Sequence, residues 1–399
     1  MEYKREKLLS SLKSRLTHEP NLVQVIMGPR QVGKTTAIQS FLKKWSDFPS
    51  LYESADQLTP PDVNWIHELW ERARAIAQKE KGCFLVIDEI QKILRWSEAI
   101  KKFFDEDRRF KTNVRVVLLG SSALMVQRGL TESLAGRFEL IRFSHWSYAE
   151  CKQAFGWDLE KYIFFGGYPG GANLLDNNLA NLDRWQQYIR ESLIETVLNK
   201  DILLLTPVDK PALFRQAFQL ACAHPAEIVA YAKMVGQLHD AGNTTTIASY
   251  LHLLAAAQLV VPLPKYSGEK IRQRASSPKL LVLNNALINA AMLRDFSHTR
   301  EDQKLWGRLV ENCVGAHLFN QSLGTGAELF YWREGDLEVD YVLKKGSDLV
   351  AFEVKANGDK DQRGLDHFLK RYPQARPLRV GGKGADMDLE TFLSWKNLP

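Results

Sequence analysis

Four short apolar runs recur in the first part of the chain, at 23–27, 84–87, 114–119 and 138–143. Stretches with helical spacing lie between them, for example at 35–45 and 64–79. Nearly continuous apolar strands alternating with helices predict a mostly parallel sheet covered on both faces. Further on the pattern changes. Residues 146–205 read as helices, broken by Gly166-Gly167-Tyr168-Pro169-Gly170-Gly171. Within 185–198, Trp185, Tyr188, Ile189, Ile194, Val197 and Leu198 recur as on an amphipathic helix. Short helices are predicted at 211–222, 227–236 and 246–256. The turn Asp240-Ala241-Gly242-Asn243 precedes the last of them, whose opening threonines are cap candidates. Apolar segments at 260–266 and 280–283 then flank a polar stretch, so this region has the outline of a winged helix-turn-helix. From 281 onward a long helix at 303–321 is followed by strands at 329–332, 338–343 and 349–354.

A chain of 399 residues is too long for one core of ordinary size, so two or three domains are expected. The hydrophobic fraction of 45% and charged fraction of 25% are those of a soluble globular protein. An aromatic content of 10% excludes a largely disordered chain. No apolar run approaches the length of a membrane span, and the basic N-terminus lacks a signal-peptide core. A cytoplasmic protein without membrane contact is therefore expected. The cysteines, Cys83, Cys151, Cys222 and Cys313, are scattered singly, which argues against a disulfide framework or a zinc ribbon. A net charge of +6 permits a nucleic-acid partner without requiring one.

The sharpest signal is Gly28-Pro29-Arg30-Gln31-Val32-Gly33-Lys34-Thr35-Thr36, which has the spacing of a P-loop. Glycines let successive backbone N–H groups curl around phosphate, and the following helix offers unpaired N–H groups. Lys34 would reach the β and γ phosphates of ATP, and the Thr35 hydroxyl would ligate Mg²⁺. The strand at 84–87 delivers Asp88 to the metal and Glu89 to a position where a base orients water. For Glu89 the plainer alternative is an acid held by a helix N-terminus. Ser121 or Ser122, at the end of the strand near 119, is a candidate to sense the γ phosphate. Arg137 is a candidate arginine finger, with a solvated surface arginine as the alternative.

These residues carry a resemblance. The P-loop, Asp88-Glu89-Ile90-Gln91-Lys92 with Trp96 beyond it, Gly120-Ser121-Ser122 and Leu134-Ala135-Gly136-Arg137 resemble a prokaryotic branch of AAA-type ATPases. In that family the ATPase core is followed by a DUF4143 domain. The later chain resembles this second part at Gly167-Tyr168-Pro169, at 195–202, at Trp332-Arg333, at Glu338-Val339-Asp340 and at Glu353-Val354-Lys355. The resemblance implies an α/β P-loop core at 1–145, a helical lid at 146–206, a winged helix-turn-helix at 207–280 and a restriction-endonuclease-like domain at 281–399. One departure stands out: Asn284-Asn285 occupy a place where such proteins commonly have an aspartate, and no metal ligand is expected there.

Apart from the family, Asp340 followed by Glu353-x-Lys355 is the acid and acid-x-lysine pattern of restriction-endonuclease-like folds. On a strand, Glu353 and Lys355 share one face. Asp340 and Glu353 would share a divalent metal, Lys355 would activate water, and Glu311 would add a carboxylate. The plainer alternative is cross-strand ion pairing, or a nuclease-like fold that has no nuclease chemistry. For DNA contact, the helix near Thr246 is poor in Lys and Arg. The wing is richer, with Lys265, Lys270, Arg272, Arg274 and Lys279. The leading expectation is an Mg²⁺-dependent ATPase coupled to DNA, acting as a homo-oligomer. The alternatives are an ATP-controlled switch whose C-terminal domain binds a protein partner, and an ATP-gated nuclease.

Overall fold

The computed structural model describes residues 5–17, 21–45, 48–59, 61–120, 133–175, 181–203, 208–238, 243–267, 276–356, 362–396 and 398. The chain forms two compact units, residues 1–143 and 144–399.

The first unit is built on five strands, β1 (Val23–Met27), β2 (Ser50–Ser54), β3 (Cys83–Asp88), β4 (Val114–Gly120) and β5 (Phe138–Arg142). All pair in parallel, in the order β2-β3-β4-β1-β5. Alternate residues divide the sheet's two faces. Val23, Val25, Leu85, Ile87, Val116 and Leu118 share a core with Trp70 of helix Val63–Glu80 and Phe103 of helix Trp96–Phe110. On the other face Phe84 meets Phe41, Trp45 and Phe48. A fully buried side chain such as Trp70 or Phe84 contributes about 1.5–3 kcal/mol relative to exposure. Strand β2 was not apparent from the pattern of apolar runs. It is an edge strand whose sequence, SLYES, has one fully apolar residue, Leu51.

In the second unit, helices Tyr148–Phe155, Leu159–Phe165 and Leu182–Tyr188 are followed by π-helical turns over Ile189–Glu195 and Val197–Leu203. The expected amphipathic helix is thus present but wound more widely beyond Tyr188. Its apolar stripe, including Trp185, Ile189, Ile194 and Leu198, is buried. Asparagines join this layer to helix Asn285–Ala291. Asn285 Nδ2 donates to Ile163 O (2.7 Å) and Leu309 O (2.9 Å), and Asn289 Nδ2 donates to Phe164 O (2.7 Å). The bonds to Ile163 and Phe164 satisfy carbonyls at the end of helix Leu159–Phe165 that would otherwise be orphaned. Asn284 caps helix Asn285–Ala291 through Ala286 N and accepts from Gly167 N, so the Asn-Asn pair is structural.

Helices Pro211–Ala223, Tyr231–Gln237 and Thr244–Ala256 precede an antiparallel pair, β6 (Val260–Leu263) and β7 (Lys279–Val282). The helix expected from 227 begins four residues later. Residues 226–229 instead lie against β7: Ala226 N donates to Leu280 O, Leu280 N to Glu227 O, and Ile228 bridges Lys279. The β-branched pair Ile228-Val229 suits this extended pairing. The cap of the third helix is Asn243, which accepts from Thr246 N, rather than a threonine.

The C-terminal sheet has the order β11-β10-β9-β8, with β8 (Glu328–Glu334), β9 (Leu337–Lys345), β10 (Asp348–Val354) and β11 (Arg376–Val380). The first three form an antiparallel meander. Helix Arg363–Arg371 then crosses to β11, which runs parallel to β10. Helix Gln303–Ser322 precedes the meander and packs on it, Tyr341 OH donating to Glu311 O at 2.8 Å.

Candidate nucleotide site and acidic cavity

The parallel sheet brings four strand ends to one edge. Met27 pairs with Gly120, and Ser54 with Asp88. The glycine-rich loop leaves β1 at this edge and enters helix Lys34–Lys44. Gly33 has φ 83° and Gln31 φ 57°, the left-handed turns that aim loop N–H groups inward. Gly28 is fixed by space, because a Cβ there would meet Phe143 O at 2.2 Å. Val32 is fully buried and anchors the loop to the core.

Lys34 is buried, and its ammonium donates to Gly28 O (2.9 Å) and Pro29 O (2.7 Å). Those bonds have to open for Lys34 to meet a phosphate. Thr35 Oγ1 donates to Asp88 Oδ2 at 2.7 Å, so the two expected Mg²⁺ ligands stand side by side. Hard oxygen donors of this kind suit Mg²⁺. Asp88 Oδ1 accepts from Glu89 N at 2.8 Å. Glu89 itself has φ 54°, a conformation that non-glycine residues rarely hold, and its carboxylate accepts from Gln91. Tyr52, which the sequence reading passed over, donates its hydroxyl to Asp88 Oδ2 at 2.6 Å. Burial, followed by the bond to Asp88, raises the Tyr52 pKa well above its ordinary value, so the hydroxyl remains a donor. Thr36 follows as an exposed residue of the helix's first turn, and Arg30 is partly buried in the loop. Ser121 and Ser122 lie outside the described residues.

Arg137 stands elsewhere. Its carbonyl accepts from Val23 N, at the start of β1, whereas the P-loop follows the end of that strand. Five residues of strand, roughly 15 Å, separate the two. Its guanidinium grips Asp105 with two bonds, 2.7 Å to Oδ1 and 3.0 Å to Oδ2. The fork holds the Asp105 carboxyl below its usual range. Arg137 does not reach the P-loop of its own chain.

In the second unit a cavity of about 490 Å³ is lined by Arg308, Glu311, Glu338, Asp340, Glu353 and Lys355, among others. The four residues expected to form a nuclease-like site do meet here. The register explains why: the β9–β10 ladder ends at Phe352 and Tyr341, which sets Asp340 opposite Glu353 one step on. Asp340 Oδ2 accepts from Val354 N at 2.8 Å. Glu338, two residues before Asp340 on the same face, was missed as a member of the group. Carboxylate oxygens of Glu311, Glu338 and Asp340 lie within 4.8 Å of one another.

The correction concerns Lys279. Expected on a solvent-exposed wing, it is fully buried and its ammonium enters the acid cluster. It lies 2.6 Å from Glu311 Oε1, 3.1 Å from Glu338 Oε1 and 3.9 Å from Asp340 Oδ1. Burial disfavours its charge, and the carboxylates of Glu311, Asp340 and Glu338 more than offset that, so its pKa is raised. Arg308 pairs with Glu311 at 3.1 Å from the other side. Lys279 thus places a positive charge within the acid cluster. Of the remaining wing residues, Lys265 is partly buried, and Lys270, Arg272 and Arg274 lie outside the described residues. Among the described residues no helix is long and apolar enough to cross a membrane.

Comparison with known families places these features. Residues 20–152 match an AAA domain, and residues 306–397 match a domain of unknown function, DUF4143. The chain thus carries a region similar to an AAA domain followed by one similar to DUF4143. The intervening residues 156–298 match a further domain of unknown function, DUF8612. An uncharacterized protein of Methanocaldococcus jannaschii is 22% identical over 88% of this chain and 79% of its own. One from Haemophilus influenzae is 20% identical over 92% and 90%. Among solved structures, the ORC2 protein of Aeropyrum pernix is similar over 74% of this chain and 93% of its own, with 13% identity and a TM-score of 0.43. The Thermotoga maritima RuvB Holliday junction branch migration motor covers 66% and 90%, with 13% identity and a TM-score of 0.33.

Proposed function

We propose that this protein is an Mg²⁺-dependent ATPase whose hydrolysis is coupled to DNA contact. The observation that carries the ATPase reading is the Thr35–Asp88 bond at the P-loop edge of the parallel sheet. Lys34 and the loop N–H groups would bind the phosphates of ATP, and Thr35 and Asp88 would hold the metal. Bound Mg²⁺ would supply charge neutralisation at the phosphates. Glu89 would orient the attacking water, and the loop amides would hold the nucleotide in line. The site-incomplete position of Arg137 supports assembly of several copies.

The DNA reading rests on residues 211–282. A short strand segment between the first and second helices pairs with the last strand, and a third helix leads into a hairpin. That order supports a winged helix-turn-helix. In the same way, the run of helix, meander, helix and parallel strand in 303–380 supports a nuclease-like fold. One observation favours a second reading, a switch that binds a protein partner. Helix Thr244–Ala256 carries neither Lys nor Arg, and Lys279 is withdrawn from the wing.

Steady-state ATP hydrolysis with Mg²⁺ separates the two. Turnover is expected to rise several-fold with single-stranded, duplex or four-way-junction DNA and to fall again as salt is added. Turnover indifferent to all three sinks the DNA reading and leaves the protein-partner switch. Absence of hydrolysis under every condition sinks the ATPase reading itself.

A further inference from the structure

We propose that Lys279 is the resident cation of the C-terminal acidic cavity. Its ammonium takes the seat among Glu311, Glu338 and Asp340 that a divalent metal would need, and it fastens β7 to the C-terminal sheet. This inference is independent of the nucleotide site.

The seat is built from three sides. Glu311 comes from helix Gln303–Ser322, and Glu338 and Asp340 come from β9. The lysine backbone is itself held, Lys279 pairing with Leu263 in the hairpin and bridging Ile228 on its other side. From that fixed start the side chain is completely covered. Besides the carboxylates, its ammonium donates to Asp340 O at 3.1 Å and lies 4.9 Å from the centre of the Tyr341 ring. A carbonyl, carboxylates and an aromatic face make a cage suited to an ammonium group. A divalent ion in the same place would share these oxygens with a buried positive charge. The cavity also receives Arg308 beside Glu311, a second fixed cation. The cluster of Glu311, Glu338 and Asp340 serves as an internal ion-pair joint between the hairpin module and the sheet and not as a metal seat.

The test uses the full-length protein without nucleotide. Mn²⁺ binding is followed by the loss of the free-ion paramagnetic resonance signal, for wild type and for Glu311→Gln. The expected result is the same titration for both, with plasmid DNA left intact in Mn²⁺ or Mg²⁺. A saturable Mn²⁺ site in wild type that Glu311→Gln abolishes overturns the proposal, as does cleavage that the same substitution abolishes. Lys279→Met supplies a second readout. Its melting temperature is expected to fall by roughly 10 °C, because truncation leaves buried carboxylates uncompensated. A Lys279→Met protein that melts with wild type overturns the fastening role. If that variant does not fold, the wild-type and Glu311→Gln titrations still decide the question.

Discussion

At the scale of single residues, the Asp88 carboxylate accepts three hydrogen bonds. One carboxylate oxygen accepts two hydroxyls, from Thr35 at 2.7 Å and Tyr52 at 2.6 Å, while the other accepts a backbone N–H. Thr35 and Asp88 were readable from the sequence because a P-loop and a strand ending in acid have fixed spacings. Tyr52 was not readable, since it reaches Asp88 only through the pairing of an edge strand that the apolar pattern does not announce. Tyr52 orients the carboxylate and would not itself touch nucleotide, so its loss should act through metal affinity. In Tyr52→Phe the Mg²⁺ dependence of turnover is expected to weaken about fivefold, the worth of one hydrogen bond near 1 kcal/mol. The turnover number at saturating Mg²⁺ should hardly change. Lys34→Ala, by contrast, should lose about 100-fold or more at any Mg²⁺ concentration, because it removes charge from the phosphates. Equal loss of saturated turnover in the two variants would show that Tyr52 acts in the chemistry rather than in positioning.

Between elements, buried asparagines make several of the links. Asn312 is fully buried on helix Gln303–Ser322. Its Oδ1 accepts from Val282 N at 3.0 Å, and its Nδ2 donates to Val282 O (2.7 Å) and to Asn285 Oδ1 (2.8 Å). It therefore caps the outer edge of β7 and links it to helix Asn285–Ala291. Asn312→Ala would leave a buried N–H and carbonyl of Val282 without this partner. The expected cost is about 2–4 kcal/mol, measured by denaturant unfolding of the second unit's transition. A loss under 1 kcal/mol would mean that water replaces the side chain. This network explains how far element-level reading carries. Helices and strands with clear periods were placed within a few residues, including the three helices and hairpin of 211–282. Residues 227–229 read as helix from the local pattern because their pairing with β7 is long-range and leaves no local mark. Lys279 reads as a surface wing residue for the same reason. A lysine at the start of a strand carries no sign that three carboxylates, two of them about 60 positions away, surround it. Glu338 did carry a signal, since its spacing of two from Asp340 on a strand puts both on one face.

For the molecule as a whole, the decisive fact is the distance between Arg137 and the P-loop. They lie at opposite ends of β1, so an arginine that meets the transferring phosphoryl group has to act on a neighbouring copy. The bidentate pair with Asp105 does not argue against this. Arg137 is 29% exposed and Asp105 41%, so the bond is worth little to stability and is easily exchanged for a stronger anion. Arg137→Ala should therefore fold normally and yet lose most ATP turnover, by about 10³-fold if it serves as a finger. Mixing supplies the test that separates action in trans from a local effect. Arg137→Ala retains an intact P-loop, and Lys34→Ala retains an intact Arg137. Neither alone should turn over ATP, but an equimolar mixture should recover roughly a quarter of wild-type activity through heterologous interfaces that pair one good site with one good finger. Recovery should also rise with protein concentration, as assembly requires. A mixture as inactive as its parts, at concentrations where wild type is active and assembled, would remove Arg137 from the chemistry and return it to the surface as the partner of Asp105.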